Sequence, residues 1–267
     1  MILQVLKQYL RDLKSLSGMI YMNVLILGGN GLLGPYAIDV LSLNHKLRIT
    51  DINDFESTNH EYLKVDVSNL KEVIRVSDGM DAIINLSVVR RDRQLAFDVN
   101  ARGCYNVMAA ATNHGIKRVI NTGPPFIYGA RSLTHFNLNP DVPSSSGTAL
   151  YTCTKSIGHE ICKVFTRHHP IWVMTMMFGS FRDPADHSEF GNGLTTSFIQ
   201  TYRDAARVFR SALEVDLNTL PSRCELFNVC SDVPGSKYTN EKTKRLLGWY
   251  PEDSFVKRWI RITEYPN

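Results

Sequence analysis

Tyr151 and Lys155 stand four residues apart in the segment YTCTK. On a helix they would share one face, a single turn apart. An ammonium beside a phenol stabilises the phenolate and draws the phenol pKa below its ordinary value of about 10. A tyrosine placed in that way can give or take a proton near neutral pH. The pattern is short, and two residues on any helix surface satisfy it. Its weight depends on what precedes it in the chain.

What precedes it is Gly28-Gly29-Asn30-Gly31-Leu32-Leu33-Gly34, set between an apolar run and a helical pattern. Glycines at this spacing between a strand and a helix form a phosphate cradle. Gly28 permits the tight turn, Gly31 lets backbone approach a pyrophosphate, and Gly34 lets helix and strand pack closely. The mouth of the helix adds free N–H groups and partial positive charge. Asn30, Leu32 and Leu33 complete the cradle. Asp51 closes the next predicted strand, where a carboxylate accepts hydrogen bonds from ribose hydroxyls and repels a 2′-phosphate. NAD is therefore expected and NADP disfavoured. Ile52, Asp66, Val67, Leu86, Ser87, Val88 and Asn100 are expected to line the same groove, with Asp66 reaching toward the adenine edge.

These residues need a scaffold of alternating strands and helices, and the hydrophobic pattern supplies one. Strands are predicted at Asn23–Leu27, Lys46–Thr50, Tyr62–Val65, Ala82–Leu86, Arg118–Thr122 and Ile171–Met177. Helices are predicted at Leu32–Leu43, Asn69–Val76, Val99–His114 and Leu150–Arg167. Pro35 falls in the first turn of its helix, where it is tolerated, and Gly115 provides a C-terminal stop. Such alternation implies parallel strands with right-handed crossovers. The expected fold is α/β: a doubly wound Rossmann sheet of order 3-2-1-4-5-6, followed by a small C-terminal substrate lobe. Residues 1–22 read as an N-terminal extension, 23–178 as the dinucleotide-binding domain and 179–267 as the lobe. Within the lobe a helix is predicted near Phe198–Leu213, a strand near Glu225–Val229 and a helix near Asn240–Leu247.

With the elements in place, the sequence resembles the extended short-chain dehydrogenases/reductases, the NAD-dependent epimerase/dehydratase family. The resemblance rests on GGNGLLG, Asp51, VDVSN around Asp66, DVNARGCYNVMAAA around Asn100, KRVINTG with IYG through Gly129, YTCTKSIGHE and TNEKTKRLLGWYP. It implies hydride transfer between a nicotinamide and a sugar carbinol or carbonyl. Tyr151 would be the acid/base, and Lys155 would also bind the nicotinamide ribose. A homodimer packed through the helices at Val99–His114 and Leu150–Arg167 is implied as well. Two positions depart from the family. The usual serine or threonine of the fifth-strand loop is Pro124, leaving Thr122 as the nearest hydroxyl. An arginine common at the end of the sixth strand is replaced by Met176-Met177-Phe178-Gly179. Arg90, Arg91 or Arg93, after the fourth strand, could supply the compensating cation, and Arg90, Pro124 and Phe126 are expected on the substrate side. The short stretch of chain after Lys155 points to uronate or other free-sugar dehydrogenases. The alternative is a nicotinamide-binding sensor or partner-binding protein with little catalysis, which Pro124 and Met177 motivate.

Composition narrows the remaining classes. Of 267 residues 43% are apolar, enough for a sizeable core, and the formal net charge of +4 is dispersed. A nucleic-acid partner would need clustered basic residues, so none is expected. Five cysteines lack any CxxC pair, which argues against zinc and for reduced thiols in a cytoplasmic setting. No metal centre and no membrane span are expected. In residues 1–22, Ile2, Leu6, Tyr9, Leu13, Leu16 and Ile20 recur at helical spacing among Lys7, Arg11 and Lys14. This reads as an amphipathic surface or partner helix, with a targeting peptide as the sharper alternative.

Overall fold

A computed structural model describes residues 21–54, 59–182 and 196–256. The helix expected near the N-terminus lies outside them. Strands β1 (Asn23–Leu27), β2 (Lys46–Asp51), β3 (Glu61–Lys64), β4 (Ala82–Asn85), β5 (Arg118–Gly123), β6 (Trp172–Phe178) and β9 (Cys224–Val229) form one parallel sheet of order β3-β2-β1-β4-β5-β6-β9. A two-stranded parallel pair, β7 (Ser180–Phe181) and β8 (Ile199–Gln200), stands beside it. The order expected for six strands holds. The strand read into the C-terminal part is a seventh strand of the same sheet, because Cys224–Val229 pairs in register with Val173–Phe178.

Apolar runs make the central strands. All of β4, all but the first residue of β1 and all but the first residue of β6 are buried, as strands covered on both faces must be. Helices α1 (Gly34–Ser42) and α7 (Tyr202–Glu214) cover one face, where Val24, Ile26, Ala37, Leu41, Phe209 and Leu213 pack together. Helices α2 (Leu70–Ser77), α4 (Gly103–His114) and α6 (Leu150–His168) cover the other with Leu25, Leu27, Val73, Val107, Met108 and Cys162. Two further short helices, α3 (Arg93–Ala96) and α5 (Arg131–Thr134), lie in connections, and α8 (Glu241–Leu247) follows β9.

One helix starts earlier than its apolar periodicity indicates. Asp92 caps α3 by accepting a hydrogen bond from the Leu95 amide at 2.8 Å, and the chain then runs through a π-helical turn, Phe97–Arg102, into α4. Apolar spacing at 3.6 residues cannot register a π turn, so the expected start at Val99 falls inside it. At the far end Gly115 adopts φ +65°, the left-handed cap its position indicates.

Candidate functional site

The glycine turn is shaped by contacts that a side chain would block. Gly28 has φ +78°, and a Cβ there would stand 2.8 Å from the Ser87 amide. A Cβ on Gly34 would lie 2.0 Å from the Gly29 carbonyl oxygen, so α1 can begin against the turn only with glycine at that position. Asp51, at the end of β2, spans the turn from the other side. One carboxylate oxygen accepts from the Asn30 amide and the other from the Asn53 amide, each at 3.0 Å. Each oxygen keeps lone-pair capacity for a hydroxyl.

Two cavities meet at this turn, sharing Gly28, Gly31, Leu86 and Val88. The first, of about 330 Å³, is lined by Asn30, Asp51, Ile52, Asn53, Asp66, Val67, Ser68, Ser87, Leu95 and Val99 among others. Asp66 is held there by accepting from the Ser68 amide at 2.8 Å, while its own amide donates to Glu72. The second, of about 540 Å³, runs past Leu32, Leu33 and Gly34 to Arg90, Thr122, Pro124, Pro125 and Tyr151, with Phe178, Phe181 and Tyr202 as its wall.

Tyr151 lines the second cavity from the first turn of α6, and Lys155, one turn further on, is buried behind it, outside both linings. Lys155 is 2% exposed, and its ammonium donates to the Ser87 carbonyl at 2.9 Å. Burial brings its pKa down to about 8, opposed by the buried thiols of Cys104 and Cys162 and assisted by the Arg90 charge. The Tyr151 phenol is pushed above its ordinary value, chiefly by burial; the positive charge of the neighbouring Arg90 guanidinium pulls the other way. That guanidinium sits 5.4 Å from the ring centroid. Arg90 thus stands beside the phenol, while the Lys155 ammonium places one of its three donors on Ser87.

Other expected residues divide. Thr122 lines the second cavity, but its hydroxyl already donates to the Asn85 carbonyl at 3.0 Å. Pro124 lines it as well. Phe126 does not: it is 2% exposed, turned inward against His159 with ring centroids 5.5 Å apart, and Pro125 takes its place at the surface. Arg91 and Arg93 are exposed and outside both linings. Asn100, fully buried in the π turn, contributes by a direct route. Its Oδ1 accepts from the Val89 amide at 3.1 Å, and its Nδ2 donates to the Val89 carbonyl at 2.7 Å and to the Thr154 hydroxyl at 3.0 Å.

The profile of the NAD dependent epimerase/dehydratase family matches residues 24–215, most of this chain. The chain belongs to that family. Among family relatives, the uronate dehydrogenase of Pseudomonas syringae pv. tomato is 26% identical over 202 residues, 72% of this chain and 70% of that protein. The NAD-dependent glucose-6-phosphate dehydrogenase of Haloferax volcanii is 22% identical over 254 residues, 86% of this chain and 93% of that protein. The crystal structure of uronate dehydrogenase from Agrobacterium tumefaciens superposes with TM-score 0.75 at 20% identity, covering 92% of this chain and 91% of that one. At that identity the likeness attests the fold.

For this family member, sequence reasoning missed the aromatic wall. Tyr202 stacks between Tyr36 (centroids 5.1 Å, planes 12° apart) and Phe181 (4.4 Å, 9°). These rings come from α1, β7 and α7, so no local pattern joins them. Asn53, Ser68 and Val89 were missed likewise, since each follows a recognised strand by a few residues and carries no motif, and so were Leu95 and Val99, which the short helix and the π turn bring to the groove.

Proposed function

We propose that this protein is an NAD-dependent oxidoreductase acting on a carbinol or carbonyl of a sugar or sugar derivative, with Tyr151 as its acid/base. The observation that carries the reading is the continuity of the two cavities through the glycine turn, with Asp51 in one and Tyr151 in the other. The residues fit a dinucleotide. The turn tolerates no side chain at Gly28 or Gly34, and the carboxylate of Asp51 stands where a ribose would lie and where a 2′-phosphate would be repelled. NAD is accordingly the preferred cofactor, and when bound it supplies the hydride acceptor or donor.

The chain's own groups do the remaining work. The opening of α1 holds the pyrophosphate, Asp51 the adenosine ribose and Lys155 the nicotinamide ribose. Leu32, Leu33, Val88, Phe178 and Phe181 keep water from the reacting carbon. In oxidation Tyr151 takes the carbinol proton, and in reduction it returns one. Family relatives that act on uronates and glucose 6-phosphate support a sugar as the substrate. Exposed Tyr105, Ile157 and Val164 on α4 and α6, with Phe97 in the π turn before α4, support a homodimer through these helices.

The test is turnover. Purified protein is incubated with NAD and a panel of neutral sugars, uronates and sugar phosphates, and the absorbance of reduced nicotinamide is followed. A rate on one class that is lost in Tyr151→Phe is the expected result. Pro124, in place of the hydroxyl that would bond the substrate oxygen, favours a second reading: a nicotinamide-binding protein without catalysis. Binding of NAD with no turnover across the panel would select it.

A further inference from the structure

The peptide groups of Ser87 are held on both sides by side chains. Strand β4 ends at Asn85, and the Leu86 amide still donates to the Leu27 carbonyl at 2.8 Å. One residue on, the neighbouring chain turns away at Gly28, which approaches so closely that a Cβ there would stand 2.8 Å from the Ser87 amide. The Ser87 N–H therefore lies past the ladder. It donates instead to Oδ1 of Asn85, two residues back, at 3.1 Å. The carbonyl of the same Ser87 receives the Lys155 ammonium at 2.9 Å.

Asn85 is 2% exposed, and its remaining polar groups are engaged inward. It stands beside Asn121 in the register of β4 and β5, and its Nδ2 donates to the Asn121 Oδ1 at 3.2 Å. Asn121 in turn donates to the Cys104 thiol at 3.5 Å. The backbone carbonyl of Asn85 accepts from the Thr122 hydroxyl at 3.0 Å. A buried amide with these contacts made is fixed in orientation, its oxygen toward Ser87 and its nitrogen toward β5. An apolar residue would fill this place in the core at lower desolvation cost. What the amide adds is a fixed acceptor for the Ser87 N–H.

We propose that Asn85 is a positioning residue of this site: by holding the Ser87 peptide it aims the Ser87 carbonyl at Lys155, and so sets where the ammonium stands beside the cofactor groove. Without the Asn85 oxygen, the Ser87 peptide is free to rotate and its carbonyl leaves the amine. The amine then loses a neighbour that favours its charged form. Lys155 keeps its place beside Tyr151, and Asn85 acts through it. The proposal rests on the function given above, in which Lys155 holds the nicotinamide ribose.

The test reads Lys155 without cofactor or substrate. Lysines are isotope-labelled, the Lys155 side-chain resonance is identified by its loss in Lys155→Met, and it is titrated with pH. Asn85→Leu removes the acceptor and Asn85→Asp keeps it. Asn121→Leu removes a buried amide of the same network that does not touch Ser87. The expected result is a fall of about 0.5 pH unit or more in Asn85→Leu, with none in Asn85→Asp or Asn121→Leu. NAD affinity, measured on the same samples, is expected to weaken about tenfold in Asn85→Leu and less than about twofold in the other two. An unchanged or raised titration in Asn85→Leu overturns the proposal, as does an equal fall in Asn121→Leu. Should Asn85→Leu not fold, amide hydrogen exchange of the wild type decides. Ser87 protected as well as the amides of β4 is expected, and exchange at the rate of an open loop overturns the proposal. Failure of the wild type to bind NAD sinks the functional reading, while the titrations without NAD still judge Asn85.

Discussion

Asn100 and Val89 form a closed pair: the side-chain amide of one satisfies both the N–H and the C=O of the other, at 3.1 and 2.7 Å. The pair ties the π turn to the loop after β4, and the third contact, to Thr154, extends it to the helix of Tyr151. The site is therefore held by one buried polar junction between three elements that are distant in sequence.

Asn100→Ala is expected to cost about 1–3 kcal/mol of stability, because it leaves the N–H and C=O of half-buried Val89 without their partner, although the Thr154 hydroxyl keeps its bond to Leu150. It should lower turnover by more than the stability loss explains, since the loop after β4 loses its tie to the helix of Tyr151. Denaturant midpoints and rates on the same preparations check this. A midpoint equal to wild type would show that the loop does not depend on the amide.

Gly34→Ala is expected to destabilise by about 1–3 kcal/mol or to prevent folding, because the new methyl would overlap the Gly29 carbonyl at 2.0 Å and neither backbone segment can yield. Gly79→Ala, a control with open space around it but φ +71°, should lose less. Thermal unfolding of the pair distinguishes steric contact from backbone strain.

Asp51→Ala is expected to weaken NAD binding about tenfold and to narrow the preference over NADP, since it removes both a ribose acceptor and a repulsive charge. Calorimetric titration with each cofactor is the measurement. An unchanged ratio of the two affinities would dissociate Asp51 from cofactor choice.

Stability should depend on pH through Lys155. Its folded pKa, about 8, lies below the value of 10.5 expected for an exposed lysine, so the unfolded chain binds the proton more tightly. Charging the buried amine therefore weakens the fold below about pH 8, and this weakening is relieved as pH rises through 8 toward 10.5. Lys155→Met removes the group, so the stability of the variant relative to wild type is expected to fall across that window. The change is about 1.4 kcal/mol for each pH unit of that window. A difference constant with pH would show that the amine is not held in a desolvated state.

Much of the sheet was legible because its signals are local. VLIL, AIIN and RVINT are apolar runs bounded by turn residues, and GGNGLLG punctuates a strand and a helix at fixed offsets. Asp51 followed from the same spacing. The illegible parts depend on contacts between distant segments. The place of Arg90 beside Tyr151 depends on the approach of the loop after β4 to α6, which lies far along the chain. The inward turn of Phe126 follows from its packing on His159. The place of Cys224–Val229 in the main sheet is fixed by Val173–Phe178, far back in the chain. The early start of the helix, which Asp92 caps, was hidden by a π turn that breaks helical periodicity.

Calorimetric titration of the purified protein with NAD tests the whole account most directly. Saturable binding at one site per chain, weakened by Asp51→Ala, is the expected result. Absence of heat with either the oxidised or the reduced cofactor, from a protein that unfolds cooperatively and is therefore folded, would contradict it.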